Sequence, residues 1–156
     1  MKRMDNLEKL LSSEDTNNSV IEIDNFINNL CSYGDRLDKL TEPQKQFYYN
    51  QCLEREVNNG GFNQYFVSPS GEFAHQTLHS LIDIGAETTA GILQKAIEQF
   101  PNKKVPTDRD ERIDLVEEIE EVANEVWENL DEKFFEYADD LNTLNLDFVK
   151  KHKSYF

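Results

Sequence analysis

The sequence predicts an all-α fold: a single-domain multi-helix bundle with one long acidic amphipathic helix. Three observations carry this expectation. Apolar residues recur at spacings of three and four along most of the chain, no segment alternates apolar and polar residues long enough for a strand, and Gly, Pro and helix-capping residues punctuate the periodic stretches. A length of 156 residues and a hydrophobic fraction of 38% suffice for one core without disulfide or metal staples. Residues 1–18 read as an N-terminal helix and loose loop, and residues 19–156 as the helical domain, within one domain overall. No internal repeat occurs at any fixed period.

A short first helix is expected from about Asp5 to Ser12, followed by the polar loop SSEDTNNS. Ser19 is the expected cap of a second helix whose Val20, Ile23, Phe26, Ile27 and Leu30 share one face, with Gly34 past its end. Thr41-Glu42-Pro43-Gln44 matches a capping box with Pro just inside the helix start, where its missing N–H is no loss. That third helix should end near Asn58, because Asn and Gly tolerate left-handed backbone angles and NNGG follows at once. A brief helical turn then places Phe62, Tyr65 and Phe66 on neighbouring helices.

Ser68-Pro69-Ser70-Gly71 breaks the chain again, and Ser70 starts a helix carrying Phe73, Leu78, Leu81 and Ile82 that stops at Gly85. Glu87 to about Phe100 forms the next, with Ile92, Leu93, Ala96 and Ile97 on its apolar face; it ends at Pro101, and Asn102 to Pro106 connect it over the surface to the acidic segment. Thr107 opens that segment, with Asp108, Asp110 and Glu111 placed to complement the helix dipole. Ile113, Val116, Ile119, Val122, Ala123, Val126, Trp127 and Leu130 form its apolar stripe. Phe134, Phe135 and Tyr137 lead to a final helix near Leu144 to Lys151, with Lys150, Lys151 and Lys153 at its C-terminus.

The formal charge of -15 is concentrated. Residues 107–147 hold sixteen Asp or Glu against three Lys or Arg, a net of -13, and the remaining residues carry only -2. Such a field disfavours direct nucleic-acid and anionic-membrane binding and attracts basic surfaces. From Asp108 to Glu136, thirteen acids and three bases give -10 over 29 residues, about 43 Å of helix. One net charge per roughly 4 Å approaches the roughly 3.4 Å per phosphate of a DNA strand. Glu117, Glu121, Glu125 and Glu128 make one row of candidate partner-binding carboxylates, and Asp110, Asp114 and Glu118 a second.

Other constellations are weaker. His75 and His79 stand one turn apart, like the ligands of a zinc H-E-x-x-H motif, but Gln76 replaces its general base and His152 is the only further histidine. No metal, cofactor or catalytic residue is assigned, since no nucleophile elbow, phosphate loop or dinucleotide fingerprint occurs. Cys31 and Cys52 lie in apolar-periodic segments and read as buried free thiols. With no secretory signal and no membrane-spanning run, the chain reads as cytoplasmic. In NNGGFNQYF, the amides Asn59, Asn63 and Gln64 and the Tyr65 hydroxyl suit either helix-end capping or a ligand; capping is the reading preferred.

EVNNGGFNQYFVSPSGE, with IGAETTAGIL and a later FP, resembles a bacterial domain-of-unknown-function family whose best-understood members are acidic DNA-mimic proteins. The resemblance spans about Gln46 to Pro101 and continues more weakly through the acidic helix. Its motif residues here are Asn59, Gly60, Gly61, Phe62, Gln64, Tyr65 and Phe66, with a structural role expected. The resemblance implies a small, helical, acidic protein that occupies the DNA-binding face of a transcription regulator or another DNA-binding protein. The combined expectation is a non-enzymatic interaction protein with a basic partner, a DNA-binding regulator foremost. Its rivals are an immunity or antitoxin-like inhibitor of a basic nuclease and a small-ligand binder or enzyme built on NNGGFNQYF.

Overall fold

The computed structural model describes residues 2–156. Seven α-helices and five short 3-10 turns make up its regular structure, with no strand among the described residues. They are α1 (Leu7–Leu11), α2 (Thr16–Leu30), α3 (Glu42–Val67), α4 (Ala74–Asp83), α5 (Glu87–Ile97), α6 (Arg109–Phe135) and α7 (Leu141–Lys151). The all-α bundle expected from periodicity is therefore the observed fold. One core cluster joins all seven helices, from Leu7 to Phe156.

α3 and α6 pack along each other as the central pair. The α3 start follows the expected capping box: the Thr41 hydroxyl accepts from the Gln44 N–H, and the Gln44 side chain accepts from the Thr41 N–H. Between them the rings interlock. Phe66 lies 5.3 Å from Trp127 and 4.8 Å from Phe100, Phe62 meets Phe134 edge-on at 6.1 Å, and the Trp127 indole N–H donates to the Ala96 carbonyl at 3.0 Å.

Several boundaries differ from the sequence expectation. α2 begins three residues before the expected cap, because Asp15 accepts from the Asn18 N–H. Ser19 lies inside the helix instead, fully buried, and its hydroxyl donates to the Leu10 carbonyl, tying α1 to α2. α3 breaks where the sequence places the stop: Gly60 and Gly61 leave helical angles, and a second helical stretch through Phe62, Tyr65 and Phe66 carries the element on to Val67 in a new direction. Ser70 falls in a 3-10 turn, Pro69–Phe73, so α4 starts only at Ala74. Asp108 rather than Thr107 caps α6, accepting from the Glu111 N–H at 2.9 Å. α7 starts earlier than expected, at Leu141, capped by Asp140. Val122, placed in the apolar stripe by its spacing, is 79% exposed. Among the described residues no helix is long and apolar enough to cross a membrane.

Candidate functional site

At about 100° per residue, α6 separates into two faces. Arg112, Val116, Ala123, Trp127, Leu130 and Phe134 are buried and fall together on one side. Asp110, Asp114, Glu117, Glu118, Glu121, Glu125 and Glu128 are all exposed and fall within an arc of about 120° on the opposite side. The two rows read from the sequence are thus one face. Glu111, Glu132 and Glu136 lie in the same arc and are also exposed, lengthening it beyond the residues singled out from spacing. From Asp110 to Glu136 the arc runs about 39 Å.

None of these carboxylates forms an ion pair, although Arg109 and Lys133 of the same helix are exposed. The ion pairs among the described residues are Arg36–Asp38, Lys45–Glu42, Arg55–Asp24, Lys103–Glu98, Lys150–Asp147 and Lys153–Glu8, and none involves an acid of α6. The basic tail is occupied elsewhere: Lys153 reaches Glu8 at 2.8 Å, and Lys150 pairs with Asp147 at 3.7 Å. Of the three bases in the α6 segment, Arg112 is fully buried and so leaves the outer face.

The NGGF segment holds this helix in place. Gly61 has φ 77° and ψ -171°, which restarts α3 in a new direction and exposes fresh N–H groups at the start of its last two turns. Asp131 of α6 fills that position, accepting from the Phe62 N–H at 2.8 Å. Burial raises the Asp131 carboxyl above its ordinary range, while the Phe62 N–H opposes the rise. At the next residue the Asn63 amide donates to Asn124 at 3.1 Å and to Glu120 at 3.4 Å.

At the far end of α3, Arg112 donates to the Phe66 carbonyl at 2.6 Å and the Ser68 carbonyl at 2.9 Å, and to the Pro106 and Thr107 carbonyls at 3.0 Å each. It satisfies carbonyls that the helix end leaves without partners. Gly71 makes room: a Cβ there would lie 2.8 Å from the Arg112 Nε. Sequence reading missed both Asp131 and Arg112. Each looked like one more charge in a charged helix, and only the contact across α3 distinguishes them.

Asn59 apart, the polar groups of the motif are spent within the fold, with Asn63 and Gln64 bonding to other side chains and not capping helix ends. Gln64 donates to Glu56 at 3.0 Å, Asn58 to the Tyr137 hydroxyl at 2.7 Å, and the buried Tyr65 hydroxyl to Thr77 at 3.3 Å. Asn59 is exposed at the kink. Five cavities of about 290–470 Å³ open on the described residues, and Asn59, Asn63, Gln64 and Tyr65 line none of these five. His75 accepts from the Val105 N–H at 3.1 Å, and burial, with His79 and Lys104 nearby, lowers its pKa. No group of three His, Cys, Asp or Glu among the described residues is arranged to hold a metal ion. Cys31 and Cys52 are buried and free, and burial pushes the Cys52 thiol up to about 11.

A family model described as DMP19-like protein matches residues 38–152, which include the kinked α3, its motif and the whole of α6. No curated protein and no solved structure matches the chain.

Proposed function

Because the chain belongs to the DMP19-like protein family, we propose that it is a non-enzymatic DNA-mimic protein whose α6 carboxylates occupy the DNA-binding face of a basic partner. The partner class is a DNA-binding protein, a transcription regulator foremost. One observation carries the reading: the exposed acids of α6 share a single face, and none of them is ion-paired to a cation of the chain. A solvated helix face in an ordinary domain mixes both signs. This one offers net negative charge at a spacing near that of phosphates, on a rigid support, so a surface evolved for DNA finds its electrostatic complement.

Pull-down from lysate of the source cell tests the proposal. At low salt the chain should retain a DNA-binding protein, release it at high salt, and prevent it from binding DNA in a mobility-shift assay. Reversing Glu117, Glu121, Glu125 and Glu128 to Lys should abolish capture with helicity unchanged. A partner that stays bound at high salt, or binds its DNA undisturbed in the presence of the chain, would overturn the reading. A captured nuclease whose cleavage is blocked would replace the regulator with a toxin.

A further inference from the structure

Two apolar side chains border the acidic arc of α6, and the fold uses neither fully. Val122 is 79% exposed and Phe135 49% exposed. Helical geometry places Val122 at one edge of the arc, beside Glu118 and Glu125, and Phe135 at the other, beside Glu128 and Glu132. The two are separated by about 20 Å along the axis. Neither contributes to α6 what a polar residue there would not, since Val and Phe have lower helix propensity than Glu or Lys and the buried stripe is complete without them. Phe135 meets the neighbouring Phe134 edge-on, with ring centroids 6.5 Å apart.

Resting on the reading of α6 as a face for a basic surface, we propose that Val122 and Phe135 are specificity anchors, and that the partner carries apolar contact sites flanking its cationic strip. The complementary charge decides the occupant. A second copy of this chain would set carboxylates against carboxylates, whereas a basic surface gains at every contact. A helix bearing charge alone would fit any polycationic or DNA-binding surface. An aromatic ring at the edge of the charge array adds a contact that a phosphate backbone does not offer, and aromatic side chains dominate binding energy where they are desolvated. The carboxylates then supply encounter and orientation, and the two apolar residues supply selection.

The test uses the full chain and two synthetic helical peptides of equal positive charge, one of Lys and Ala only, the other with Leu replacing part of the Ala. Affinities are measured by fluorescence anisotropy over a salt series. The wild type should prefer the Leu-bearing peptide by roughly tenfold or more. The Val122→Ser, Phe135→Ala double variant should bind both peptides alike, with the same salt dependence as the wild type. Both positions are solvent-exposed, and circular dichroism confirms that the variant is folded. A wild type that binds the two peptides equally, or a double variant that keeps the preference, overturns the inference while leaving the charge-based reading intact. Failure to bind the Leu-free peptide at low salt sinks the charge-based reading itself. Self-association of the wild type that the double variant loses, seen by sedimentation, would assign the two residues to a dimer contact and also overturn the inference.

Discussion

At Gly61 the backbone takes a combination of φ and ψ that only glycine adopts readily, and Asp131 lies against the position a side chain would fill. A Cβ there would sit 2.8 Å from the Asp131 Cγ, so any substitution both strains the backbone and displaces the carboxylate that accepts from Phe62. Gly61→Ala is expected to destabilise the protein by about 2–4 kcal/mol. Gly91 provides the control: it lies within α5 with open space where a Cβ would go, and Gly91→Ala should stabilise by about 0.5–1 kcal/mol. Urea unfolding followed by circular dichroism checks both, and equal midpoint shifts for the two variants would refute the assignment of Gly61 as the residue that turns α3 onto α6.

At the scale of the element, α6 shows what was legible in the sequence and what was not. Its boundaries, its acidic outer face and most of its apolar stripe follow from local pattern, because charge and period along one helix are local properties. NNGG marked a break because Gly and Asn chemistry is local too, and α3 does break there; what the local pattern could not show is that Asp131, 69 residues away in sequence, caps the helical stretch that restarts at Phe62. Arg112 and Asp131 were invisible for the same reason, as burial of a charge depends on what another element brings to it. Val122 misled because spacing alone cannot say where a neighbour ends. The face itself has an energetic consequence. Glu117, Glu121, Glu125 and Glu128 repel one another at spacings of four and three, each such pair destabilising the helix by about 0.2–0.5 kcal/mol. Changing all four to Gln should therefore raise Tm, and added NaCl should raise the wild-type Tm more than that of the variant. Scanning calorimetry over a salt series measures this. An unchanged Tm would mean that the carboxylates are not packed closely enough to serve as a phosphate-like array.

For the whole molecule, the acidity makes stability a function of pH, and Glu54 decides where the change falls. It stands on α3 just before the kink, with the Tyr137 hydroxyl and the Asp24 carboxylate of α2 in its surroundings. Asn17, Asp139 and Asp140 line the same cavity of about 420 Å³. Burial, countered by Tyr137 and reinforced by Asp24, pushes the Glu54 carboxyl up to about 7 from an ordinary value of 4.5. The folded state thus holds a proton that the unfolded chain releases. The stabilisation is fully present below about 4.5, declines as the unfolded chain ionises, and is lost once pH passes about 7. Asp24 and Asp131 are raised by burial as well and act in the same direction. His75, whose pKa burial lowers, acts in the opposite direction, but the Glu54 shift is the larger, so the protein should be more stable near pH 5.5 than near pH 8. Glu54→Gln, which keeps the shape and removes the ionisation, should be more stable than the wild type at pH 8 by about 1–3 kcal/mol and should flatten the profile between pH 5 and 8. Unfolding free energies from urea titrations at half-unit pH steps decide it. A wild-type profile that rises from pH 5.5 to 8 would show that Glu54 is ionised in the folded protein, and that the junction of α2, α3 and the α6 C-terminus admits more water than its burial implies.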